Sequence, residues 1–172
     1  MSSKGKTGIT WADRTWNPIV GCAPIATECR HCYAARDAHR MAGHPNPKVC
    51  DAYRGLVDGS SWTGEYRFLE ERLVYPLRWS APSIVFVCSM SDLFYEPVAD
   101  EEIARVWDVM RMATRHTFLV LTKRIERGVA WYNAHPLANV WVGTTAGPPR
   151  RSVTPSTAWC GKSSPPRRRP RR

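Results

Sequence analysis

Cys22, Cys29 and Cys32 stand in the stretch GCAPIATECRHCYAARDAHR, with six residues in the first gap and two in the second. Three thiolates at that density, with no fourth cysteine in register, suit a cluster that keeps one metal position open for a ligand. Cys29 and Cys32, three apart, can face one side of a tight turn, as a shared cluster requires. A [4Fe-4S] cluster bound through Cys22, Cys29 and Cys32 is therefore the favoured cofactor. Zinc competes for the same thiols. His31, His39, His44 and Cys50 lie near enough in sequence to complete a tetrahedron of three cysteines and one histidine, or of four cysteines. Against zinc, Cys29-x2-Cys32 has no second knuckle, and Cys50 follows a proline-broken segment. A third option is that the thiols are reactive or simply buried.

The elements that must position these groups follow from periodicity. TGITWADRTWNPIVG, residues 7–21, mixes β-branched and aromatic residues around an Asn17-Pro18 break and reads as one or two short strands. Cys32 to Met41 reads as a helix closed by Gly43 and the prolines at 45 and 47. Residues 44–82 read as a long irregular connection with one helical piece, Glu65 to Leu73, and a connection of that length is usually functional or a lid. From Ser83 the pattern is regular: SIVFVCS a strand, Asp100–Thr114 a helix, TFLVLT a strand, Ile125–His135 a helix, NVWVGT a strand. Continuous apolar strands between amphipathic helices predict right-handed β-α-β units on a parallel sheet. The fold class is α/β, either a partial parallel (β/α) barrel or a doubly wound sheet. In both, chemistry gathers at the C-terminal ends of the strands. Those ends deliver Cys22, then Ser89, Ser91 and Asp92, then Thr122, Lys123 and Arg124, then Thr144 and Thr145, a rim of thiols, hydroxyls, a carboxylate and two cations.

Composition limits the partners. The chain of 172 residues carries a net charge of +10, but eight Lys or Arg and no acid lie between Pro148 and Arg172, which leaves only +2 to residues 1–147. The segment PPRRSVTPSTAWCGKSSPPRRRPRR has six prolines and almost no large apolar residue, so the expectation is a domain over 1–147 and a disordered basic tail over 148–172. An arginine-rich tail is a candidate nucleic-acid binder through phosphates. A lost reading frame accounts equally for the change in composition after Ala146. No stretch has signal-peptide or membrane-spanning length, so the expected location is cytoplasmic, with no membrane partner. Six cysteines in such a chain point to ligands, reactive thiols or buried residues rather than disulfides; Cys88, ending an apolar strand, reads as a buried one.

The strings TGITWADRTWNPIVGC, CRHCYAARDAHRM, VFVCSMSDLF, LVLTKR and NVWVGTT, from about Thr7 to Thr145, resemble a phage and prophage family of unassigned function known as three-Cys-motif proteins. That family is in turn similar to radical S-adenosylmethionine (SAM) enzymes, whose cysteines are spaced C-x3-C-x2-C; the first gap here is longer. The resemblance implies Cys22, Cys29 and Cys32 as cluster ligands and SAM as a second cofactor. It implies His31 against the adenine, and Ser89, Ser91 and Asp92 near the SAM amino group, although the glycine-rich turn of those enzymes is missing here. Lys123 and Thr144, from the strand-end rim, complete the candidate cofactor-binding set. Relatives usually continue with further α/β units, so this chain is expected to be shortened, inactive or completed by a protein partner. A zinc-stabilised nucleic-acid-binding protein remains the reading from a different class.

Overall fold

A computed structural model describes residues 8–144. Four short segments form one parallel sheet: β1 (Arg14–Trp16), β6 (Ile84–Val87), β7 (Thr117–Leu121) and β8 (Val140–Gly143), in the order β1-β6-β7-β8. Between β6 and β7 runs α4 (Asp100–Met112), and between β7 and β8 runs α5 (Ile125–Ala134). The expected β-α-β units are therefore present. The sheet is open, with β1 and β8 at its edges, and the described residues form no closed barrel.

Alternate strand residues face the helices. Trp16, Val85, Val87, Phe118, Val120, Val140 and Val142 meet Ile103, Val106, Trp107 and Met110 of α4 in one buried cluster. These α4 positions recur at intervals of three and four, which puts them on one helical face. Trp16 is 1% exposed and donates its ring N–H to the Arg72 carbonyl at 2.8 Å, so truncating it to alanine costs about 3–5 kcal/mol. Asp100, Glu101 and Glu102 fill the first turn of α4, where carboxylates suit the helix dipole, and Glu102 also accepts from the Ala99 N–H at 3.2 Å.

A smaller layer covers the end of this sheet. It contains α1 (Tyr33–Ala42), α2 (Pro47–Tyr53), the hairpin β3 (Val57–Asp58) and β4 (Ser61–Trp62), and the antiparallel pair β2 (Ile19–Val20) with β5 (Arg67–Phe68). Small residues let its parts approach closely: Ala34, Ala35 and Ala38 of α1 pack with Ala52, Tyr53, Leu56 and Trp62 in a second buried cluster.

Two expectations are corrected here. Residues 44–82 are not irregular, because Pro47 opens a helix instead of only closing the previous one: it stands at the first position of α2, and the Asn46 side chain accepts from the Lys48 N–H at 3.0 Å. The helix foreseen over Glu65–Leu73 is confined to α3 (Glu70–Leu73). Tertiary pairing overrides it, since Phe68 and Arg67 lie opposite Ile19 and Val20, and the Leu69 N–H reaches the Pro18 carbonyl at 2.7 Å. The boundary foreseen at 147 and the character of the tail lie outside the described residues.

Candidate functional site

After β2 and after β6 the chain makes two sharp departures that bring side chains together. After β2, Gly21 adopts φ +96°, donates its N–H to the Met90 carbonyl at 3.1 Å, and leaves no room for a side chain: a Cβ there would stand 2.3 Å from the Glu65 carbonyl oxygen. Cys22 follows directly. After β6, Cys88 takes φ 54°, a left-handed conformation unusual for a non-glycine residue, and the chain turns into Ser89–Asp92. Asn17 fixes that turn, its side-chain oxygen accepting from the Ser89 hydroxyl and the Met90 N–H, both at 3.1 Å.

Asp92 is the hub of the rim. It is 5% exposed, and its carboxylate accepts from the Phe94 N–H at 3.0 Å, the Thr122 hydroxyl at 2.7 Å, the Lys123 N–H at 3.0 Å and the Arg124 guanidinium at 3.2 Å. A carboxylate offers about four acceptor sites, so these donors use its capacity. Its role is to lock the end of β7 against the turn after β6, and contact with the SAM amino group does not fit an anion already saturated. Arg124, 8% exposed, spreads its donors over Asp92, Glu96 at 2.9 Å, the Ala23 carbonyl at 3.2 Å and the Cys22 sulfur at 3.6 Å, with its guanidinium 4.8 Å from the Tyr95 ring centre. Arg124 is thus the fixed cation beside the first thiol. Burial pushes the Cys22 thiol up to about 11, with the Arg124 charge acting against that rise.

A cavity of about 140 Å3 opens in front of these groups, lined by Cys22, Cys29 and Cys32 together with Ser89, Ser91, Asp92, Lys123 and Arg124. That space is roughly ten times what admits a single water. Its apolar wall includes Trp62, Phe86 and Leu121. Cys29 lies in a single turn of 3-10 helix, Thr27–His31, and Cys32 caps the N-terminus of α1, where the helix dipole favours negative charge on sulfur. The three predicted ligands therefore share one wall-lined space, each half-buried as a free thiol.

The remaining candidates divide. Ser89, Ser91 and Lys123 line the cavity; Thr144 is half-buried and His31 exposed, and neither lines it. Tyr33, not singled out from the sequence, also lines the cavity, its hydroxyl donating to the Ser89 carbonyl at 3.0 Å. Adjacency to Cys32 was the available signal. Cys88, expected to be buried, is 2% exposed, belongs to the core and also forms part of the cavity wall, and burial pushes its thiol well up. The zinc alternatives are elsewhere: His39 and His44 are exposed, and the Cys50 thiol donates to the Ala42 carbonyl at 2.9 Å.

The donor set also bears on which metal group fits. Among the described residues no three Cys, His, Asp or Glu side chains converge tightly enough to hold a single ion. Tetrahedral zinc needs thiolate sulfurs all about 2.3 Å from one point, whereas in an iron–sulfur cluster each thiolate binds its own iron, so sulfurs spread around one cavity suffice. Three thiols lining one cavity are the donor type that an iron–sulfur cluster takes.

A family model described as Protein of unknown function (DUF5131) matches residues 6–155. No curated protein and no solved structure matches the chain.

Proposed function

The chain belongs to the family described as Protein of unknown function (DUF5131), and we propose that it is an iron–sulfur protein of the radical SAM kind, built on an open sheet that corresponds to part of a parallel (β/α) barrel. The observation that carries this reading is the gathering of Cys22, Cys29 and Cys32 on one cavity at the C-terminal rim of a parallel sheet. Those three side chains would hold a [4Fe-4S] cluster, which, when bound and reduced, supplies an electron for cleaving SAM to a carbon radical.

Each of the surrounding residues has a separate task. Arg124, anchored by Asp92 and Glu96, offers positive charge beside Cys22 and so offsets the negative charge that thiolates bring into a half-buried space. The N-terminus of α1 does the same beside Cys32. Lys123 is the cavity cation left to meet a ligand carboxylate, since its backbone rather than its side chain is bound to Asp92. Ser89 and Ser91 supply hydroxyls to a ligand's polar atoms. Trp62, Phe86 and Leu121 keep water from the reactive space.

The test is SAM itself. Added to the reduced, cluster-loaded protein it should perturb the cluster's spectrum, and Lys123→Gln should weaken SAM binding about tenfold while leaving iron content unchanged, as expected for loss of one charge-assisted contact. A reduced cluster whose spectrum is indifferent to SAM overturns the radical SAM assignment.

A further inference from the structure

The three thiols of the cavity are not equivalent. Among the described residues only the Cys22 sulfur receives a side-chain N–H, from the Arg124 guanidinium at 3.6 Å; Cys29 and Cys32 have no such donor. The same guanidinium runs from the sulfur to solvent. Its Nε–H donates to Glu96 at 2.9 Å, and the two side chains are 6% and 64% exposed. Arg124 cannot swing away from Cys22, because its other donors are held by Asp92 and the Ala23 carbonyl, both at 3.2 Å, and its flat face lies on Tyr95. Tyr95 is itself anchored through its hydroxyl to the Gly64 carbonyl at 2.7 Å.

Hydrogen bonds to ligand sulfurs and the net charge nearby are the levers by which a protein sets the potential of an iron–sulfur group. Reduction adds one negative charge, and a fixed guanidinium in a poorly solvated place favours it. Two carboxylates oppose that effect, and they differ in what else they do. Asp92 is buried and also bound to Thr122 and to the Phe94 and Lys123 N–H groups, so it cannot change without disturbing the rim. The Glu96 carboxylate pairs with Arg124 and with no other cation among the described residues. Being largely exposed, it contributes little to stability.

We infer that Arg124 is the positioning residue that sets the reduction potential of the group held by Cys22, and that Glu96 is the surface carboxylate that moderates it. This rests on the iron–sulfur reading and adds to it an unequal set of ligands, with one sulfur coupled through a buried cation to the protein surface.

Potentiometric titration of the reconstituted full chain, with iron analysis of every variant, tests this. Glu96→Gln should keep its iron and raise the midpoint, increasing the reduced-to-oxidised ratio at a fixed potential about threefold. That shift should shrink in 1 M salt, where the screening length falls to about 3 Å. Glu126→Gln, which removes an exposed acid two residues from Arg124 but not bonded to it, should leave the midpoint unchanged. Arg124→Met combined with Asp92→Asn removes both buried charges together with the donor to Cys22, and should lower the ratio about tenfold, equal to about 59 mV for a one-electron couple. If that double variant does not fold, the comparison of Glu96→Gln with Glu126→Gln decides alone. Full iron with an unchanged midpoint in Glu96→Gln, or an equal shift in Glu126→Gln, would overturn the proposal and leave the iron–sulfur reading standing. Absence of iron from the unaltered chain would overturn both.

Discussion

At the residue scale the rim depends on a buried ion pair whose members cannot be removed one at a time. Arg124 and Asp92 are 8% and 5% exposed. Arg124→Ala leaves the Asp92 carboxylate buried without its counter-charge and should destabilise the fold by about 3–5 kcal/mol in denaturant unfolding. The double change Arg124→Met with Asp92→Asn should cost less than the sum of the single changes, because it removes both charges. His116 gives a pH signature. It is 1% exposed, its Nε2–H donates to the Pro76 carbonyl at 3.0 Å, and burial, partly opposed by that carbonyl, lowers its pKa from the ordinary 6.5. A depressed folded-state pKa means that the unfolded chain takes up more protons below 6.5. The stability contribution is complete above that pH and is lost as pH falls toward the folded value. His116→Gln should flatten this acid limb of the stability profile; an unchanged slope would show that other groups set it. The three cysteines were legible in the sequence because spacing alone groups them. Arg124 was legible only as one of two cations after a strand, because its contacts to Cys22 and Glu96 span 102 and 28 residues and no local pattern encodes them.

At the element scale, backbone turns place the thiols more than helix propensity does. Gly21 is the clearest case, having both a positive φ and a Cβ position inside the Glu65 carbonyl. Gly21→Ala should reduce stability by at least about 1–3 kcal/mol and lower iron uptake with all three cysteines intact, since it displaces the residue next to Cys22. Full iron loading in that variant would remove the turn from the account. Gly128 in α5 plays a quieter part: a Cβ there would meet Thr122 and Phe94 at 3.0 and 3.1 Å, so α5 sits close under the segment carrying Arg124. The regular β-α-β portion was readable because continuous apolar strands and a three-four helical stripe each have one interpretation. The layer over residues 44–82 was not. Its elements are two to seven residues long and are stabilised by partners distant in sequence, such as β5 on β2.

At the scale of the whole molecule, the sheet and the covering layer meet at the cavity. The main core holds β6, β7 and β8 on α4, the second cluster holds α1 on α2 and β4, and Cys22 and Cys32 pack against the latter. Cys22 and Cys32 therefore depend on the second cluster being formed. No helix among the described residues is long and apolar enough to cross a membrane. The basic segment after Ala146 makes a separate prediction from sequence alone: deletion of residues 156–172, beyond the family match, should abolish any salt-sensitive binding to nucleic acid without changing metal content. Loss of metal in the truncated chain would tie that segment to the domain. The iron–sulfur assignment itself is tested most directly by metal analysis of the anaerobically purified and reconstituted chain. The account predicts about four irons per chain, lost in Cys22→Ala, Cys29→Ala and Cys32→Ala and retained in Cys50→Ala. Stoichiometric zinc with no iron, or iron that persists in those three variants, would contradict it.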